Sequence, residues 1–194
     1  MTKQEVLDNI RYNENLVNQY QREINSYRNS VNALSSAIKT LNGKIDALVV
    51  TRKKLEQEIS ELQALKSKLT TLQESFARRQ SQRVTNFNKH SGLAMGLKLF
   101  TSYWNGMKDL LSGQEYRKTY NGLTEAIEKA DKKLQAKVRE RESVKSNINQ
   151  LNGQIDSKKR EINSYNTRIS QRSSDLSYRK ERIRYWQNQL QYAT

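Results

Sequence analysis

Residues that could perform acid–base or metal chemistry are sparse in this chain of 194 residues. It has no cysteine, which excludes disulfides, thiolate nucleophiles and cysteine-based metal sites. Its one histidine, His90, has no carboxylate or second histidine at a spacing that a catalytic pair or a ligand set requires. We interpret His90 as a solvated residue near a helix end, where cationic side chains favour the helix dipole.

The carboxylates do not converge on a catalytic site either. The 20 Asp and Glu residues are scattered among 35 Lys and Arg residues, a pattern typical of solvated ion pairs on helix surfaces. The HExxH, P-loop, GxSxG and CxxC motifs are absent. The sequence therefore predicts a non-enzymatic protein without a catalytic residue, a cofactor or a bound metal.

The net charge of +15 indicates an anionic partner. It divides into roughly +4 for residues 1–80, +4 for 81–119 and +7 for 120–194. Such a distribution attracts an acidic protein, or a polyanion with salt-sensitive affinity. No zinc finger, RRM or basic-region motif is present, which disfavours sequence-specific nucleic-acid recognition. We predict that an acidic protein meets a basic face of the C-terminal half, formed by Lys158, Lys159, Arg172 and Arg179.

A heptad pattern of apolar residues identifies a long helix in the first half of the chain. Position a is Ile or Val at residues 10, 17, 24, 31, 38, 45 and 59, and position d is apolar in nine successive heptads from Tyr20 to Phe76. A strict period of seven predicts a left-handed coiled coil. Thr2 and Glu5 form a potential capping box, which predicts a helix start near residue 3.

A second heptad frame runs from Tyr120 to the C-terminus. Its a row is apolar in ten of eleven positions, the exception being Arg141, but its d row includes four cations: Lys137, Lys158, Arg172 and Arg179. This helix has one narrow apolar seam, and its long cationic side chains can cover the apolar edge of a partner.

Two such helices predict a single all-α domain over residues 1–194, an elongated antiparallel coiled-coil helical hairpin. The first helix covers 3–90, an apolar tip covers 91–112, and the second helix covers 113–194. Folding near residues 97–100 pairs positions whose numbers sum to about 197. This register brings Lys66 near Asp131, and Arg141 near Glu56 and Glu58, so that seam cations meet acids.

The tip is apolar rather than polar. Leu93, Leu97, Phe100 and Trp104 are spaced four, three and four apart, which places them on one face of a short helix that ends at Asn105-Gly106. We predict that this face either docks a partner or packs within the tip.

The Trp104-Asn105-Gly106 tripeptide, set between two amphipathic helices in a chain without Pro or Cys, resembles the WxG-hairpin superfamily of bacterial type VII secretion. The run from Phe87 to Leu123 is similar to longer members found beside LXG toxins, which serve as accessory or targeting proteins bound to the helical N-terminal domain of the toxin. The resemblance implies that Trp104 and Gly106 shape the turn and contribute to a surface read by a partner. The Tyr-x-x-x-Asp/Glu export signal of that superfamily is missing, since Tyr185 is followed four residues later by Gln189.

Two functions are consistent with these patterns. The first is an accessory, targeting or chaperone-like partner of an LXG-type toxin, bound to its acidic helical domain and to a further small helical protein. The second is a basic coiled coil that binds nucleic acid or an anionic membrane surface. Because the N-terminal residues lack the apolar stretch of a cleaved signal peptide and no window approaches 18 apolar residues, we expect a bacterial cytoplasmic protein, or one exported together with its partner through the type VII system.

Overall fold

The computed structural model of the chain describes residues 2–91, 101–107 and 113–193. For residues 90 and 91 it describes the backbone only. Helix α1 spans Lys3–Ser91, a short helix α2 covers 101–107, and helix α3 spans Gln114–Leu190. These described parts of the chain contain no strand. Since α1 and α3 pack against each other in opposite directions, the predicted all-α helical hairpin is confirmed.

The helix ends follow the predicted capping residues closely. The backbone N–H of Glu5 donates to Thr2 Oγ1 at 3.3 Å, and the N–H of Thr2 donates to Glu5 Oε2 at 2.9 Å, which is the predicted capping box. Helix α3 begins one residue after its predicted start, where the Arg117 N–H donates to the carbonyl of Gly113 at 3.4 Å.

The chain divides into two compact units. Unit 1 comprises residues 1–49 and 146–194, and unit 2 comprises 50–145. The apolar core of unit 1 contains Val6, Ile10, Ile24, Leu41, Ile148 and Ile155, and that of unit 2 contains Leu55, Ile59, Ala130 and Val144. Every a and d residue of the predicted frames, from Ile10 to Phe76 and from Tyr120 to Leu190, is buried or half-buried. The heptad prediction is therefore confirmed in both units.

The register is confirmed at its most specific point. In unit 2 the Nζ of Lys66 lies 2.5 Å from Oδ1 of Asp131, and these two positions give the predicted sum of 197. In unit 1 the rings of Tyr27 and Tyr165 lie 5.7 Å apart between centroids, and their numbers sum to 192. The helices therefore pair within a heptad of the predicted alignment.

Arg141 lies near Glu56, as predicted, but it forms its described ion pair with another acid. Its Nη2 lies 2.6 Å from Glu142, its neighbour in sequence, whereas Glu58 is held by Lys137 Nζ at 2.9 Å. Lys137, one turn before Arg141, reaches Glu58 across the seam, and Arg141 lines a hollow together with Glu56 without an ion pair to it in the described residues. The seam cation is still neutralised, but by its own helix.

Among the described residues, no helix contains a stretch that is both long enough and apolar enough to cross a membrane.

Candidate partner-binding surfaces

The tryptophan of the tip packs against α1. The ring of Trp104 stacks on that of Phe87 with a centroid distance of 3.7 Å and an interplanar angle of 16°, and both side chains are half-buried. Leu93, Leu97 and Phe100, the other residues predicted for this docking surface, lie outside the described residues. The ring of Trp104 is therefore partly covered by Phe87 of the first helix.

The Trp104-Asn105-Gly106 tripeptide is helical, and its expected role in shaping the turn between the long helices stays a prediction, because residues 92–100 and 108–112 lie outside the described residues. The helical residues continue through Gly106 to residue 107. No described glycine has a positive φ, and a Cβ added at Gly106 would meet nothing within 4 Å. Gly106 therefore uses neither the special backbone conformations nor the close approach that glycine permits.

Two of the four residues predicted for the basic partner face interact within the hairpin. Arg172 Nε lies 2.6 Å from Glu23 Oε2 on α1, its Nη1 donates to Asp175 at 3.1 Å, and its guanidinium lies 5.0 Å from the ring centre of Tyr20. The hydrogen bond to Asp175, and then the charge of Glu23, raise the pKa of Arg172 above its ordinary value. This side chain joins the two helices of unit 1, and its predicted contact with a partner stays a prediction.

Arg179 has a similar role. Its Nη1 donates to Asn13 Oδ1 at 3.2 Å, and its guanidinium lies near the rings of Tyr12 and Tyr178. Lys158 is half-buried at its d position, and Lys159 is exposed. The predicted basic face therefore contains two arginines that contact α1 and two lysines beside them. The arginines contact α1 because position d of α3 faces polar and aromatic residues of that helix.

A surface that we did not predict lies on α1 in unit 2. Leu65 and Leu72 occupy successive g positions and are 47% and 54% exposed. A hollow beside Leu72 is lined by small side chains every four residues and by the d residue of the seam: Ser67, Thr71, Ser75 and Phe76. We call these six residues the leucine face. Its signal was visible in the sequence as apolar residues at the same heptad position seven apart.

Cations border the leucine face. Lys68 and Arg79 line the same hollow and are exposed. Unit 2 as a whole contains 20 Lys and Arg against 11 Asp and Glu, a net charge of +9 by count. The surface therefore combines an exposed apolar stripe with a positive surrounding.

The described side chains include no group of three or more His, Cys, Asp or Glu residues placed to hold a metal ion. No protein-family model, curated protein or solved structure matches the chain.

Proposed function

We propose that this chain is a non-enzymatic interaction protein whose hairpin accepts a helix of an acidic protein, as an accessory or targeting partner of an LXG-type toxin. The support for the toxin class is the resemblance at Trp104-Asn105-Gly106 and the helices on both sides of it. The support for a helical partner is the leucine face.

The leucine face carries the proposal because a two-helix seam does not use it. Positions a and d fill the contact between α1 and α3, whereas Leu65 and Leu72 at position g remain about half exposed. Apolar residues at a, d and g give a helix a stripe wide enough to contact two other helices. Because each leucine is already about half buried, burying its remaining area on a partner supplies roughly half of the 1.5–3 kcal/mol of a full side-chain burial.

The shape and charge of the surface favour a helix with acidic flanks. The small side chains of Ser67, Thr71 and Ser75 allow a second helix to approach closely, while Leu72 and Phe76 provide apolar contacts. Lys68 and Arg79 at the border would meet carboxylates at the rim, which increases the association rate and the selectivity for an acidic partner.

The test uses the purified full chain and the helical N-terminal domain of an LXG toxin encoded in the same genome. We expect a complex by size-exclusion chromatography and calorimetry. The double substitution Leu65→Glu and Leu72→Glu should weaken it by at least about 100-fold, because two apolar contacts are lost and two charges would be desolvated.

Val50→Glu is the matched control. Val50 is also an exposed aliphatic residue of α1 in unit 2, but it lies 15 residues before Leu65 in sequence, more than four helical turns from the leucine face. This variant should bind the toxin domain as the unchanged chain does. Absence of a complex with the unchanged chain, or equal weakening by Val50→Glu, would refute the proposal.

A further inference from the structure

Tyrosines and arginines form an exposed surface in unit 1 that the proposed function does not use. Tyr178, Tyr185 and Tyr192 are seven residues apart and are 55%, 46% and 79% exposed, and Tyr12 of α1 is 57% exposed. Trp186, Arg179 and Arg182 lie between them in sequence. We call the surface the tyrosine–arginine face: Tyr12, Tyr178, Arg179, Arg182, Tyr185, Trp186 and Tyr192.

The rings of this face are held in place by guanidinium groups. The Cζ of Arg179 lies 5.8 Å from the ring centre of Tyr12 and 5.5 Å from that of Tyr178, so one cation fixes a ring on each helix. The Cζ of Arg182 lies 4.9 Å and 5.2 Å from the rings of Tyr185 and Trp186. Cation–π contacts of this length order the rings without burying them.

Trp186 and Tyr185 also contact each other edge to face. Their centroids are 5.0 Å apart and their planes meet at 74°. Ring faces therefore point in two directions within one turn of α3. An array of ordered, exposed rings offers planar groups a place to stack at a low cost in side-chain entropy.

The two units differ in the chemistry of their exposed large apolar residues. Those of the described part of unit 1 are all tyrosines, whereas unit 2 exposes three aliphatic residues, Val50, Leu65 and Leu72, and one tyrosine, Tyr103. Aliphatic side chains suit a protein helix, but rings with free faces beside cations suit a ligand that has both planar groups and negative charge.

The charge next to the rings is positive. Residues 178–192 contain Arg179, Lys180, Arg182 and Arg184 against the single acid Glu181. On α1, residues 5–14 carry Glu5, Asp8 and Glu14 against Arg11, so the positive charge of this face lies on α3. Lys180 and Arg184 are exposed and have no ion pair within the described residues, which leaves them available to an anion.

We propose that the tyrosine–arginine face binds single-stranded nucleic acid, with unpaired bases stacked on the tyrosines and phosphates held by Arg182, Lys180 and Arg184. Single strands present both bases with open faces and a regularly charged backbone, and binding to them without sequence preference relies on aromatic platforms beside basic residues. A duplex keeps its bases stacked inside, so it offers this face only phosphates.

The test titrates the full chain with fluorescein-labelled dT20 and U20, which separate DNA from RNA, and with a 20-base-pair duplex. A Trp104→Phe background leaves Trp186 as the one tryptophan that reports contact at the face. We expect quenching of Trp186 by at least one single strand and binding to the duplex at least about tenfold weaker, since stacking is worth roughly that factor for each base.

Two sets of variants separate stacking from charge. Replacing Tyr178 and Tyr185 by Ala should weaken dT20 or U20 binding at least about tenfold, whereas replacing both by Phe should preserve it. Tyr103→Ala, which changes an exposed tyrosine of unit 2, is the matched control and should have no effect. Lys180→Ala with Arg184→Ala should reduce the slope of log affinity against log salt by about 2.

Several outcomes would overturn this inference. Equal affinity for duplex and single strand, or equal competition by polyphosphate at the same phosphate concentration, would show attraction by charge alone. Tyrosine-dependent binding to phosphatidylglycerol vesicles without binding to oligonucleotides would assign the face to a membrane surface. Toxin binding is measured with the Tyr178, Tyr185, Lys180 and Arg184 variants made without the Trp104 substitution. Because the leucine face is unchanged in them, toxin binding should persist, and its failure would bear only on the function proposed above.

Discussion

Arg179 donates a hydrogen bond to the side-chain oxygen of Asn13, 3.2 Å away, and so joins two d positions that are 166 residues apart in sequence. Asn13 is the buried polar residue of the described seam, only 3% exposed, and its Nδ2 donates to the carbonyl of Asn9 at 2.7 Å. Both ends of the amide are therefore satisfied. A buried polar pair of this kind favours one alignment of the helices over a slipped one, in which the same groups would lack partners.

The first prediction concerns this pair. Asn13→Ala should lower the free energy of unfolding by about 1–3 kcal/mol, because the guanidinium of Arg179 loses its buried acceptor. Asn18→Ala is the control, since Asn18 is exposed on the same helix and the helix propensity changes equally. Urea denaturation followed by circular dichroism measures both. Equal midpoints for the two variants would show that the Asn13 hydrogen bonds contribute nothing.

The second prediction concerns the Lys66–Asp131 ion pair. Both side chains are about one-third exposed, so solvent screening limits the interaction to about 0.5–1 kcal/mol. Lys66→Asp should destabilise the hairpin by about that amount, and adding Asp131→Lys should restore most of the loss, because the swap recreates the pair in reverse. Urea midpoints of the two single variants and the swapped variant measure the coupling. If the two single changes simply add in the swapped variant, the ion pair contributes nothing to stability. The register then depends on the apolar seam alone.

The third prediction is a pH dependence. The pKa of Lys137 is raised, first by its hydrogen bond to Glu58 and then by that to Glu140. The folded chain thus holds this proton more tightly than the unfolded chain, so the stabilisation is complete below the ordinary lysine pKa of 10.5 and is lost as the pH rises through the folded value. Urea midpoints of the unchanged chain should therefore fall more between about pH 9 and pH 12 than those of Glu58→Gln.

Glu61→Gln serves as the control for that measurement. Glu61 accepts from Gln57 at 2.9 Å and has no described contact with Lys137, so this variant should follow the unchanged chain. Deprotonation of the tyrosines affects all three proteins alike and cancels in the comparison. A Glu58→Gln variant that parallels the unchanged chain throughout the alkaline range would contradict the assigned cause.

The fourth prediction concerns the Phe87–Trp104 stack. A double-mutant cycle with Phe87→Ala and Trp104→Ala should give a coupling of about 0.5–1.5 kcal/mol, the usual value for an aromatic pair beyond its buried area. Phe87→Ala alone should shift the Trp104 emission to longer wavelength in a Trp186→Phe background, because the indole becomes more hydrated. A coupling near zero would instead support Trp104 as a side chain available to a partner.

The sequence predicted the seams better than the contacts at their edges. Seven-residue spacing determines which side chains face the other helix, and this was sufficient to place Lys66 opposite Asp131. Spacing does not determine which of several reachable acids a long cation selects, and Arg141 accordingly pairs with Glu142. Arg172 and Arg179 were assigned to a partner because the d row was considered without the Glu23 and Asn13 side chains opposite it.

The candidate surfaces were predicted less well for a different reason. Leu65 and Leu72 are exposed, so they do not belong to the a and d pattern of core residues that identified the helices. At the tip, the predicted helix end at Asn105-Gly106 lies next to residue 107, the last helical residue described there, and residues 108–112 lie outside the described part of the chain. The docking roles of Leu93, Leu97 and Phe100 stay predictions, since these residues lie outside the described part of the chain.

Contacts across the seam differ in how many residues separate their two partners in sequence. This difference predicts an order of folding. The contact between Lys66 and Asp131 closes a loop of 65 residues, whereas that between Asn13 and Arg179 closes one of 166 residues. Closing the longer loop first costs roughly 0.8 kcal/mol more in chain entropy, because the cost grows with the logarithm of loop length. This difference predicts that folding begins in unit 2 and proceeds toward the chain ends, with the contacts of Arg179 to Tyr12 and Tyr178 forming last.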